Sequence, residues 1–135
     1  MVPNETRILV IDDMAAMRLR VINQLKGMGF SQIEQAGDGQ EAYNILQKKM
    51  SEGSPIELVI SDWNMPVMTG IELLEKLRAE KGFFDLPFVM VTAEGEKPQV
   101  IRALKSGVTD YLIKPVDKVI LEQKLLGLTN LRKAA

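Results

Sequence analysis

The chain has 135 residues, the size of one domain with a single sizeable core, so one domain over residues 1–135 is expected. Seventeen basic and eighteen acidic side chains leave a formal charge of −1, which excludes the strong basic field of a nucleic-acid binder. Cys and His are both absent, which excludes disulfides, thiolate metal sites and the commonest general base and leaves any chemistry to carboxylates, hydroxyls and Lys.

The first apolar, β-branched run, Ile8 to Ile11, reads as a buried strand. Met14, Met17, Val21, Leu25 and Met28 follow at spacings of three and four, a helical stripe that stops at Gly29. A weaker strand is expected around Ile33 to Ala36, and the Gly37-Asp38-Gly39 turn leads to a helix marked by Ala42, Ile45 and Leu46. After a surface loop over Ser51 to Pro55 come a strand at Leu58 to Ile60 and a helix carrying Ile71, Leu74 and Leu77. A strand at Phe88 to Val91, a helix with Val100, Ile101, Leu104 and Val108, and a strand at Tyr111 to Ile113 continue the alternation. Leu121, Leu125 and Leu128 mark a last helix that ends near Leu131, with Arg132 and Lys133 as a frayed basic tail. Every stripe is expected to pack into the core. The apolar runs are too short to span a bilayer and no signal peptide is visible, so a cytoplasmic protein without membrane or nucleic-acid partners is expected.

Five strands each followed by a helix predict an α/β fold, a doubly wound five-stranded parallel sheet with helices on both faces. Ligands of such sheets bind beyond the carboxyl ends of the strands. There the chain places Asp12-Asp13, Ser61-Asp62, Thr92 and Lys114-Pro115. Three clustered carboxylates repel one another unless a cation neutralises them, and oxygen donors alone favour Mg²⁺, with Mn²⁺ as a substitute. A carboxylate is also a nucleophile toward phosphorus, and metal, Lys114 and Thr92 supply one stabilising partner for each phosphoryl oxygen. Pro115 restricts Lys114 to extended backbone and helps aim its side chain across the rim.

Each residue also has a plain reading. Asp13 is placed to cap the first helix, Lys114 to be solvated, Thr92 to bond its own backbone, Tyr111 to pack on the sheet and Trp63 to anchor a surface. The coincidence of an acidic pair, a third Asp, a hydroxyl and a Lys on successive strand ends favours the functional reading over these.

In that order, Asp12-Asp13, Asp62, Thr92-Ala93 and Lys114-Pro115 resemble the receiver domains of response regulators over essentially the whole chain. Ser61-Asp62-Trp63-Asn64-Met65-Pro66, followed by Gly70, is similar to the single-domain chemotaxis receivers of that family, as is Gly107 to Pro115. The resemblance implies a flavodoxin-like, CheY-like fold with strand order 2-1-3-4-5. It also implies a monomeric switch phosphorylated on Asp62 by a histidine kinase of the chemotaxis type (CheA-like), in a reaction it assists without being an enzyme. Asp13, Asp62 and the Asn64 main-chain carbonyl would hold Mg²⁺, and Asp12 would act through a water. Thr92 and Tyr111 would be the switch residues, and Asn64 and Glu94 would tune hydrolysis. Lys97, Val100, Tyr111, Ile113, Val116 and Lys124 would meet a flagellar motor switch protein or other output partner, with a phosphatase as a further partner. A cis Lys114-Pro115 bond is implied as well. Met14, Thr69 and the longer loop around Ser51 to Pro55 depart from the nearest chemotaxis pattern without removing a site residue.

Three other functions compete. A phosphorelay intermediate would use the same site and pass the phosphoryl group to a histidine phosphotransfer protein. An Asp-nucleophile phosphohydrolase would need a second acid two residues after Asp62, where Asn64 stands, and a cap for which no segment is left. A nucleotide or flavin binder would need a glycine-rich cradle after the first strand, where Asp12 and Asp13 repel phosphate.

Overall fold

Runs such as Ile8-Leu9-Val10-Ile11 and Phe88-Val89-Met90-Val91 are apolar on both faces of the pleat, the composition required of strands covered on both sides. In the computed structural model, which describes residues 5–93 and 97–134, they form the centre of a five-stranded parallel sheet. The elements are β1 (Ile8–Ile11), α1 (Ala15–Gly27), β2 (Ile33–Ala36), α2 (Gly39–Ser51), β3 (Leu58–Asp62) and α3 (Gly70–Arg78). They continue with β4 (Phe88–Thr92), α4 (Lys97–Lys105), β5 (Asp110–Ile113) and α5 (Lys118–Ala134). The strand order is β2-β1-β3-β4-β5, as the resemblance implies.

Alternation along each strand divides the core into two layers. Leu9, Ile11, Val59, Phe88 and Met90 face α2, α3 and α4, where they meet Leu46, Leu73, Leu74, Leu77 and Ala103. Ile8, Val10, Ile60, Val89 and Val91 face α1 and α5, where they meet Ile22, Leu25, Leu121 and Leu125. At about 1.5–3 kcal/mol for each large aliphatic side chain removed from water, these layers dominate the favourable side of folding. Local chemistry sets the helix starts. Asp38 Oδ1 accepts the Glu41 N–H at 2.8 Å on α2, and Thr69 and Glu72 form a reciprocal capping box on α3. Gly107, at φ +92°, closes α4 by letting the Val108 N–H reach the Ala103 carbonyl at 3.0 Å.

Several expectations are corrected. Met14 precedes α1 and is exposed, so the buried stripe of that helix is Val21, Ile22 and Leu25. Among the described residues of α4 only Ala103 is buried. Ile101 and Leu104, three residues apart and so on one helical face, are 49% and 56% exposed, because a nine-residue helix over an edge strand turns only one narrow stripe inward. Trp63 is buried in the layer under α2 and α3 instead of anchoring a surface. The last helix continues to Ala134.

A close backbone approach constrains α3. A Cβ on Gly70 would lie 2.2 Å from the Asp62 carbonyl oxygen, while Gly127 on the exposed side of α5 has nothing within 4 Å. G70A is therefore expected to cost about 1–3 kcal/mol, and G127A to stabilise by about 0.5–1 kcal/mol. Urea unfolding of the two variants checks the opposite signs.

Candidate functional site

Parallel register builds the site. Ile11 pairs with Ser61, Asp62 with Val91, and Thr92 with Ile113, so the residues that end β1, β3, β4 and β5 line up along one rim. One carboxylate oxygen from each of Asp12, Asp13 and Asp62 lies within 4.8 Å of the others. Lys114 Nζ enters from beyond β5, 3.1 Å from Asp62 Oδ1 and 3.4 Å from Asp12 Oδ2. The Lys114 backbone N–H donates to the Thr92 carbonyl at 2.8 Å, which fixes the base of the lysine against β4. Thr92 itself is 1% exposed, and the Lys114-Pro115 bond is cis.

The first helix starts without help from Asp13. Asp12 Oδ1 accepts the Met14 N–H at 2.9 Å, turning the chain into α1, and no side chain caps the helix at its N-cap residue Met14. Asp13 is exposed and has no hydrogen bond or ion pair among the described residues, so the capping alternative is not realised. Arg18 bonds the Asp12 carbonyl at 2.7 Å and Gln35 Oε1 at 2.8 Å, bracing the end of β1 through a carbonyl and an amide instead of a carboxylate.

Charge balance decides what the cluster can do. Among the described residues, three carboxylates against the one ammonium in ion-pair contact with them leave a negative excess, and opposite charges about 4 Å apart are worth only about 4 kcal/mol near a protein surface. Burial pushes the Asp62 carboxyl above the usual carboxylate range; its hydrogen bond and charge pairing with Lys114 oppose this, and Asp12 reinforces it. Burial also works to lower the Lys114 ammonium, but Asp62 and Asp12 outweigh it and hold Lys114 above its ordinary value. The pair is thus asymmetric: it secures the lysine proton without bringing Asp62 down, because Asp62 is 5% exposed and carries a second carboxylate beside it. An oxygen-only set that gathers negative charge and includes a carboxylate with no partner fits a hard divalent cation. The Asn64 carbonyl, two residues after Asp62, accepts no hydrogen bond among the described residues and is a further oxygen of the same kind.

The remaining expected residues are spread along the rim and the edge of the sheet. Asn64 is exposed in the loop after β3. Tyr111 is half-buried against the layer under α2, α3 and α4, Val100 is half-buried and Ile113 is half-exposed. Lys124 is ion-paired with Asp110. Val116 corrects the expected docking set: it is 1% exposed within the α1 and α5 layer, and its carbonyl takes bonds from Arg20 and Gln24, so its side chain is not on a surface. Glu94 lies outside the described residues; Lys97 begins α4, and its side chain also lies outside them.

Three supports escaped the sequence reading. Gly39 was legible only as a turn residue, yet a Cβ there would lie 2.6 Å from the Met68 carbonyl oxygen, so α2 packs against the loop that follows Asp62. Val67 occupies that loop at φ +67°, with the Met68 N–H on the Pro66 carbonyl at 2.7 Å, a strained three-residue turn for a β-branched residue. Arg18 had no motif to announce it.

Comparison with known proteins agrees with this geometry. The family model of the response regulator receiver domain matches residues 8–126. A chemotaxis protein CheY homolog of Campylobacter jejuni is 43% identical over 119 residues, covering 88% of each chain. The crystal structure of Vibrio cholerae CheY4 at low pH is 31% identical with a TM-score of 0.78, covering 90% of this chain and 97% of that one. CheY in the CheX-CheY-BeF3-Mg²⁺ complex of Borrelia burgdorferi is 25% identical with a TM-score of 0.79, covering 91% and 88%.

The raised Asp62 carboxyl gives a signed expectation for the metal-free protein. The folded state holds this proton more tightly than the unfolded chain, so stability falls as pH rises from the ordinary carboxylate range through the folded Asp62 value. Denaturant unfolding from about pH 4 to 8 should show that slope in wild type and its loss in D62N. Mg²⁺ at about 100 times its Kd should add about 2.7 kcal/mol to wild type and clearly less to D62N.

Proposed function

The chain belongs to the response regulator receiver family, and from that premise we propose that it is a phosphorylation-controlled binding switch whose Asp62 accepts a phosphoryl group from a histidine kinase. Members of this family are signalling proteins and not enzymes of the usual kind. The observation that carries the proposal is the meeting of three carboxylates within 4.8 Å with the Lys114 ammonium 3.1 Å from Asp62.

Asp13 and Asp62, with the Asn64 carbonyl, are the groups that would hold Mg²⁺ or Mn²⁺, and Asp12 would act through a water. When bound, the cation neutralises the carboxylates and the charge that develops on the phosphoryl oxygens. The chain's own part is nucleophilic and electrostatic. An Asp62 oxygen forms the new O–P bond as the N–P bond to the donor histidine breaks, and the donor nitrogen keeps the bonding electron pair. The attacking carboxylate needs no general base. Lys114 turns from the Asp62 oxygen to a phosphoryl oxygen, and the Thr92 hydroxyl takes another. Thr92 lies in register with Ile113 on β5, so a shift at Thr92 bears directly on the strand that carries Tyr111.

The output surface we assign to α4, β5 and α5. Ile101, Leu104, Ile113, Val119 and Ile120 are large apolar side chains exposed on these elements, and Tyr111 and Lys124 lie among them. Likeness to CheY proteins supports chemotaxis as the pathway and a flagellar motor switch protein as the output partner, with a phosphatase resetting the switch. Among the described residues no helix is long and apolar enough to cross a membrane.

Intact-mass analysis after incubation with acetyl phosphate and Mg²⁺ tests the chemistry. Wild type should gain one labile phosphoryl group, D62N and a chelated control should gain none, and K114M should form it about 10²-fold more slowly. Folded wild type that gains no adduct overturns the proposal.

A further inference from the structure

Lys124 is not a free cation waiting for a partner. Its ammonium lies 2.9 Å from Asp110 Oδ1 and 5.3 Å from the centre of the Tyr111 ring. The same Asp110 oxygen accepts the Tyr111 backbone N–H at 2.8 Å. One carboxylate oxygen therefore fastens both the main chain of Tyr111 and the cation that sits over its side chain.

The topology makes this possible. β5 is an edge strand, and successive residues on it point to opposite faces. Leu112 belongs to the layer under α1 and α5, whereas Tyr111 packs against the layer under α2, α3 and α4. Asp110 shares the face of Leu112, toward α5. Lys124, on α5, reaches Asp110 on its own side of the sheet and passes round the open edge of β5 to the ring on the other side.

We propose that Asp110 is a positioning residue for the switch: it pins Lys124 over Tyr111 and so favours the ring position seen here over any in which the ring leaves the edge of the sheet. The proposal rests on the assignment of Tyr111 as the switch side chain. Moving the ring away gives up its contact with the ammonium, and removing the Asp110 charge lets Lys124 leave the ring for solvent. The Lys124 and Asp110 side chains are 32% and 30% exposed, so the surrounding water screens both interactions. The expected bias is accordingly a two- to fivefold shift in the ratio of Tyr111 positions, about what a partly exposed cation over an aromatic ring supplies; it is not an all-or-none lock. Phosphorylation works against this latch, and a partner carboxylate that seeks Lys124 competes with Asp110 for it.

A double-mutant cycle read on Tyr111 itself tests the latch. The protein is labelled on its Tyr rings, the Tyr43 signals are identified with Y43F, and the Tyr111 rotamer ratio is measured by NMR in metal-free wild type, D110N, K124M and D110N/K124M. The expected result is that D110N and K124M each shift the ratio two- to fivefold in the same direction and that the double variant shifts it no further. An unchanged ratio in D110N, or shifts that add independently, would overturn the proposal. Far-UV circular dichroism on each variant separates unfolding from release of the latch; if D110N does not fold, D110E is to restore the wild-type ratio and K124M to shift it, and the reverse of either refutes the idea. A second arm adds beryllofluoride and Mg²⁺ to wild type. A ring that stays still there counts against Tyr111 as the switch, while the metal-free arm has already decided whether Asp110 positions it.

Discussion

Like-charge repulsion at the carboxyl ends of β1 and β3 is the constraint around which the rest of the molecule is arranged. Parallel register brings Asp12, Asp13 and Asp62 together whether or not they are neutralised, and burial of Asp12 and Asp62 removes the water that would otherwise screen them. Lys114 meets part of the charge from the far side of the sheet. It can do so because its backbone is tied to Thr92 and its strand lies next to β4. The packing that surrounds the cluster supplies rigidity: Gly70 brings α3 against the Asp62 carbonyl, Gly39 seats α2 on the following loop, and Arg18 holds the end of β1. A charge-rich site of this kind loses stability for the sake of function, and the two core layers make up the difference.

Much of this was legible in the amino-acid order. The β-branched runs gave the strands because a strand covered on both faces must be apolar throughout, and the residues directly after them gave the site because parallel strands share one functional end. Legibility failed where the deciding fact was a neighbour far away in sequence. The 3.6-residue pattern of Ile101 and Leu104 is the same whether the stripe faces a core or a partner, and only the position of α4 over an edge strand makes it an exposed face. Val116 is a docking residue only by resemblance to the family's output face, yet in this chain its side chain joins the α1 and α5 layer. Asp110 and Lys124 are fourteen residues apart, and nothing in their spacing announces an ion pair.

The proposed output face takes its properties from the edge position of β5. An edge strand has no neighbour to cover Tyr111 and Ile113, so the side chains of α4 and α5 form the border of a surface that is apolar and half-open. Such a surface is costly unless it is used, which is consistent with a partner docking there. The Asp110–Lys124 pair lies within it, and its partial exposure to water leaves it weak enough to be displaced. The proposed link from site to surface would run through two adjacent strands, from Thr92 on β4 to its register partner Ile113 and then to Tyr111 on β5.

The most direct test of the central claim identifies the phosphorylated atom's residue by trapping. Protein treated with acetyl phosphate and Mg²⁺ is reduced with borohydride, which converts an aspartyl phosphate to homoserine, and the peptides are sequenced by mass spectrometry. Homoserine is expected at position 62 alone. Homoserine at position 12 or 13, or a phosphoryl group that resists borohydride and maps to a hydroxyl, would contradict it.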